Sequence, residues 1–163
     1  MNLVSLEESI EKNKIDRAIS IIADIGRNKY KEAIPSLIKH FQSTNNSILR
    51  NEIAMALSDI GCAEAVEPII NMIMSKETIK NKGTLLYALE SLEYSSHVEL
   101  LVDLLNDDSF EVSRQALILI EFIIKDIPDE IRQKCVMKIK TNIENLQDKI
   151  TFLKESMDVF DVE

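Results

Sequence analysis

The chain has 163 residues, of which 45% are hydrophobic and 29% charged, with three glycines, three prolines and no tryptophan. Breakers are too scarce for a β-sandwich and apolar residues too abundant for disorder, so a single all-α domain over 1–163 is expected. The net charge of −9 is concentrated: residues 64–130 carry 14 acidic against 5 basic side chains, whereas the segments on either side balance. Such a field repels phosphate backbones and attracts basic partners, which argues against nucleic acid.

The chain opens on "MNLVSLEES", without a basic leader region, and no apolar run approaches the roughly 18 residues that a membrane span needs. A cytoplasmic protein that touches no membrane is the expectation. Ser5 and Glu8 have capping-box spacing, which predicts a short helix near 6–12 that closes the N-terminal end.

Four similar units then follow, near 14–43, 47–76, 78–107 and 109–140. Their first helices align as "DRAISIIADIG" (16–26), "NEIAMALSDIG" (51–61), "GTLLYALESLE" (83–93) and "RQALILIEFII" (114–124). Their second helices, "EAIPSLIKHF", "EAVEPIINMI" and "SHVELLVDLL", begin at residues 32, 64 and 96, a constant spacing of 32. Apolar residues at i, i+3, i+4 and i+7, such as Val66, Ile69, Ile70 and Ile73, make one stripe of an α-helix.

Gly26 and Gly61 stand where a first helix should stop in a left-handed residue, and Glu93 and Ile124 replace them in the later units. Ser96 with Glu99 and Asp108 with Glu111 repeat the capping-box spacing and predict helix starts near 97 and 109. A helical pair of this kind cannot bury all its apolar faces alone and must stack on copies of itself. The small residues Ala54 and Ala56 are expected at that seam, where they let backbones approach. The segment "TNIENLQDKITFLKESMDVF" reads as an amphipathic capping helix over 141–160, with Lys149, Lys154 and Glu155 on its polar side.

"ILRNEIAMALSDIGCAEAVEPIINMI" resembles a HEAT repeat of the short kind found in phycobilisome lyases and bacterial scaffold proteins. The resemblance rests on Leu49 and Arg50, the paired alanines 54 and 56, Ile60 with Gly61, and Ala65 to Ile70. It covers about residues 14–123 and weakens along the chain: the first unit has Ile15 in place of the arginine, and the third lacks the glycine. It implies a right-handed α-α superhelix, a HEAT-like solenoid of about four helical pairs with terminal capping helices. It also implies that the second helices line a concave side.

No catalytic residue, metal site or cofactor is expected. His40 and His97 lie two units apart, neither with a matching partner, and read as surface or boundary side chains. Cys62 follows a turn where a helix N-terminus could activate a thiol, but it is read as a small turn residue, and Cys135 as a packing residue. The pair Asp107-Asp108 is assigned to capping.

Partner binding is placed on the second helices. One column is Lys39, Asn71 and Asp103, another Pro35, Glu67 and Glu99, running from basic to acidic, with Arg132, Lys134 and Lys138 beyond. Lys39, Glu67, Asn71, Met72, Glu99 and Asp103 are therefore the expected contacts with a protein of basic surface, Met72 and Leu104 adding apolar area. The chain is expected to be a monomer or weak dimer acting as an interaction scaffold, in one form an immunity protein that masks a basic toxin. The alternatives are a chromophore-handling protein like the phycobilisome lyases and a DNA-binding HEAT-like glycosylase. Aromatics at 5% and the acidic columns favour neither.

Overall fold

The computed structural model describes residues 3–160, so the outermost ends of the expected 1–163 domain lie outside the described residues. Among the described residues there are nine α-helices and no strand: α1 (Leu3–Glu11), α2 (Ile15–Arg27), α3 (Ile34–Ser43), α4 (Ser47–Ile60), α5 (Val66–Met74), α6 (Lys82–Leu89), α7 (Val98–Leu104), α8 (Phe110–Ile123) and α9 (Asp129–Asp158). The chain divides into two compact units, residues 1–94 and 95–163.

In the first unit α2, α4 and α6 pack in one row and α3 and α5 in a second, with α1 against α2. This is the stacking of helical pairs that the repeat demands, and the fold class is all-α of HEAT-like type. The second helices keep the sequence register closely. Short 3₁₀ turns at Lys31–Ala33, Ala63–Ala65 and Ser95–His97 lead into α3, α5 and α7, which begin at 34, 66 and 98. Leu37, Ile69 and Leu101 occupy equivalent positions, and all three are fully buried. Each such side chain contributes about 1.5–3 kcal/mol by leaving water.

The alanine seam is present. Ala54 and Ala56 are buried on α4, and α4 packs more extensively on α2 than on any other helix. Gly26 is a point of close approach. A β-carbon added there would sit 2.8 Å from the Ala56 Cα and 3.1 Å from the Ala56 Cβ.

Gly26 therefore does not end α2 in a left-handed residue, as its alignment with Gly61 suggests. The first loop is three residues longer than the second, so α2 continues past the glycine and stops at Arg27. Lys29, with φ of 54°, supplies the left-handed residue. Tyr30 N–H donates to the Ile25 carbonyl and Lys29 N–H to that of Gly26, the paired bonds of a Schellman closure. Asn13, with φ of 51°, closes α1 in the same way through Lys14 N–H to Ser9 O and Asn13 N–H to Ile10 O. Gly61 alone behaves as expected, with φ of 74° and its N–H on the Leu57 and Ser58 carbonyls.

The three capping boxes are not formed as the spacing predicts. Ser5 lies inside α1, already helical from Leu3, and Ser96 lies in the 3₁₀ turn before α7, whose first residue is Val98. At α8 the cap shifts by one residue: Ser109 Oγ accepts from Val112 N, and Asp107 Oδ1 accepts from Ser109 N. A cap absent from the expectation starts α4, where Asn46 Oδ1 accepts from Leu49 N at 3.0 Å.

In the second unit α7 packs against α8 and α9. Val98, Val102, Ile127 and Cys135 form its buried cluster, with Ile120, Ile123, Ile131 and Ile139 around them. The expected fourth second-helix and the separate C-terminal cap are one helix of 30 residues, because residues 129–158 contain neither glycine nor proline to interrupt it.

The Gly26 contact gives a sign reversal to test. In an ordinary helix interior Gly→Ala stabilises by about 0.5–1 kcal/mol. Here Gly26→Ala drives a methyl into backbone and should destabilise by about 1–3 kcal/mol, as should Ala56→Phe. Urea or thermal unfolding of each variant measures the change.

Candidate functional site

The first group of expected contact residues lies on α3 and α5, which pack against each other. Lys39 on α3 is exposed, as are Glu67 and Asn71 on α5, while Met72 is half-buried. Glu67 and Asn71 are one turn apart, so they share a face. In the second unit Glu99 and Asp103 repeat that spacing on α7 and are also exposed. Each pair is outward because the opposite stripe, Ile69 with Ile73 on α5 and Val98 with Val102 on α7, is buried.

Two features alter the expected face. Leu104 is only 6% exposed and sits in the core, so it cannot add contact area beside Met72. Asp103 is paired: Lys138 Nζ of α9 lies 2.6 Å from Oδ1 and 2.7 Å from Oδ2, and it also donates to the Glu99 carbonyl at 3.4 Å. The basic patch expected beyond the acidic row thus folds one lysine back onto it. Arg132 is likewise paired, with Asp129. Glu99 helps to line a groove together with the polar Ser95, Ser96 and Asp126 and the apolar Ile131 and Pro128.

His40 has a partner, contrary to the sequence reading. Its Nε2 lies 2.8 Å from Glu7 Oε2, and Ser36 Oγ donates to Glu7 Oε1 at 2.6 Å. His40 and Ser36 are one turn apart on α3 and meet a carboxylate from α1, so the network ties the first helix to the stack. The Ser36 hydrogen bond, with His40 after it, holds the Glu7 carboxyl below its ordinary value despite the opposing effect of burial. Nothing periodic marks Glu7, which is why the repeat alignment passes over it.

Arg50 is buried at 4% exposure, and its guanidinium donates to the Thr44 carbonyl at 2.5 Å, fastening the loop between α3 and α4. Thr78 is fully buried and its hydroxyl donates to the Met72 carbonyl, closing α5. Cys62 and Cys135 are buried free thiols, and burial pushes both above the usual thiol range. Asp107 is occupied in the turn before α8. No helix among the described residues is long and apolar enough to cross a membrane.

Residues 49–73 match the family model described as the PBS lyase HEAT-like repeat. No curated protein and no solved structure matches the chain. The matched segment begins at Leu49 in the first turn of α4 and runs through the Gly61 turn to Ile73 of α5, so it includes Arg50, Glu67, Asn71 and Met72.

Two outcomes follow. Alkylation of Cys62 and Cys135 at neutral pH should be far slower in the native protein than after unfolding, because the thiols are buried and their thiolate forms disfavoured; a mass-spectrometric time course measures this. Glu7 has a lowered folded pKa, so its stabilising contribution is present above 4.5 and lost as pH falls through the folded value. Glu7→Gln should therefore be less stable than the parent near neutrality, and the gap should narrow below pH 4.5 in paired urea titrations.

Proposed function

We propose that this chain, which carries a HEAT-like repeat at 49–73, is a non-enzymatic interaction scaffold whose second helices hold a protein of basic surface. The observation that carries the reading is the repeated outward pair: Glu67 with Asn71 on α5, and Glu99 with Asp103 on α7, exposed at identical register 32 residues apart. Lys39 and Met72 flank the first pair, and the groove beside Glu99 places carboxylates next to apolar surface, the mixture that a protein interface uses.

Charge here sets encounter rate and partner choice more than affinity. Because Lys138 already offsets Asp103, Glu67 and Glu99 carry more of the field than Asp103 does. A basic partner would compete with Lys138 for that carboxylate. An immunity protein masking a basic toxin is one form of this scaffold.

The second reading, chromophore handling, draws on the name of the matching repeat. Titration with a linear tetrapyrrole separates the two: an induced visible absorbance change favours chromophore binding.

For the scaffold reading, the chain serves as bait at low salt and captured partners are identified. The triple variant Glu67→Gln, Glu99→Gln, Asp103→Asn should weaken the captured partner's binding by about tenfold and flatten its salt dependence. An unchanged affinity and salt slope would remove the acidic face from the interface.

A further inference from the structure

The apolar stripe of α9 does not end where its packing ends. Ile131, Cys135 and Ile139 face the buried cluster of the second unit. Ile143, Leu146, Ile150, Leu153 and Met157 continue on the same side, within about 40° of the direction of Ile139 on a 3.6-residue helix. Yet these five are 46–65% exposed. A further five-residue apolar row on α9 is thus left open to solvent among the described residues.

The row's spacing identifies what covers it. Intervals of three and four alternate from 143 to 157, which is a heptad with Ile143, Ile150 and Met157 at a and Leu146 and Leu153 at d. Isoleucine at the first two a positions with leucine at both d positions is the choice that favours two parallel strands, with Met157 an unbranched residue at the third a. The stretch carries no buried polar residue at a or d that would specify another register. We infer that α9 pairs with α9 of a second copy of this chain in a parallel, in-register coiled coil over about residues 143–157.

The flanking positions set the strength of the pairing. Position g of one strand faces e of the next heptad on the other. In this chain that places Lys149 opposite Lys154 of the partner copy, on both sides of the seam, while Asn142 faces Gln147. All four are exposed or half-exposed, so the lysine repulsion is screened by solvent and is small against burial of ten apolar side chains. It leaves a reversible dimer that salt strengthens, opposite to the salt response of the acidic docking face.

Sedimentation velocity of the full chain from low micromolar to several hundred micromolar tests the pairing. The mass should rise toward twice 18.6 kDa, and further in high salt than in low. Leu146→Asp with Leu153→Asp should weaken association by at least about tenfold while circular dichroism keeps the helical signal, since both side chains are exposed in the monomer. Lys154→Glu should tighten association and reverse the salt response. Ile150→Cys should form an intermolecular disulfide on mild oxidation, because only the parallel register sets residue 150 against itself.

A monomer at every concentration, or a dimer indifferent to the paired aspartates, would overturn the inference. So would a mixture of Ile150→Cys and Leu146→Cys chains that crosslinks the two variants to each other in preference to Ile150→Cys with itself, which marks an antiparallel pair. Binding of a heptad peptide with glutamates at e and g by a chain that stays monomeric would also overturn it and assign the row to an acidic helix instead.

Discussion

The approach of α2 to α4 at Gly26 and Ala56 is the constraint on which the first unit rests. Two helices come close enough there that a single added methyl would meet backbone. That distance sets how deeply Ile22, Ile25, Ile53 and Leu57, all buried, interlock. It thereby fixes the row on which α6 stacks next, and the second row of α3 and α5 follows from the short turns that join each pair. The outward position of Glu67 and Asn71 is therefore a consequence of burial elsewhere: with Val66, Ile69, Ile70 and Ile73 committed to the core, the opposite side of α5, which carries Glu67 and Asn71, faces solvent.

The parts of the fold legible in the sequence are those governed by periodic burial. The starts of α3, α5 and α7 fall 32 residues apart because the same stripe and the same turn recur, and a stripe is visible without knowing what lies opposite it. Features that depend on a distant contact were not legible. Glycine serves both left-handed turns and close backbone approach; at 61 it does the first and at 26 the second, and only the three extra residues of the first loop distinguish them. Glu7 and His40 are 33 residues apart on unlike elements, so no spacing rule links them. The capping boxes failed for a local reason, since the 3₁₀ turn before α7 uses the residues that a direct α-helical start would have used as its cap.

The candidate site was legible to the same degree. Exposure of its polar positions follows from the stripe, but the reach of Lys138 to Asp103 depends on how α9 lies on α7, which the alignment of repeats does not encode. Within the second unit that pair offsets the charge of Asp103. An exposed ion pair contributes little to stability, so its consequence is electrostatic: it lowers the negative potential at Asp103, and a basic ligand there would have to displace Lys138.

A stack of repeats must also stop, and its last apolar face needs either polar substitution or a cover. Lys149, Lys154 and Glu155 supply polar residues on α9, yet the two lysines flank the hydrophobic row and Glu155 lies on the opposite side, so none of them replaces it. Polar residues alone would have required charges at 143, 146, 150 and 153, where the chain has isoleucine and leucine. The unbroken run without glycine or proline points the same way, because a helix meant only to cap the second unit could end once Ile139 is buried. Its further turns leave apolar side chains exposed, a cost that the pairing inferred above would offset. The proposed docking face and the inferred pairing would respond oppositely to ionic strength: salt would screen and weaken the first, while it would screen Lys149 against Lys154 and the net charge of −9 of each copy and so favour the second. A protein of this design would be most strongly paired under the conditions in which its basic partner is held least tightly.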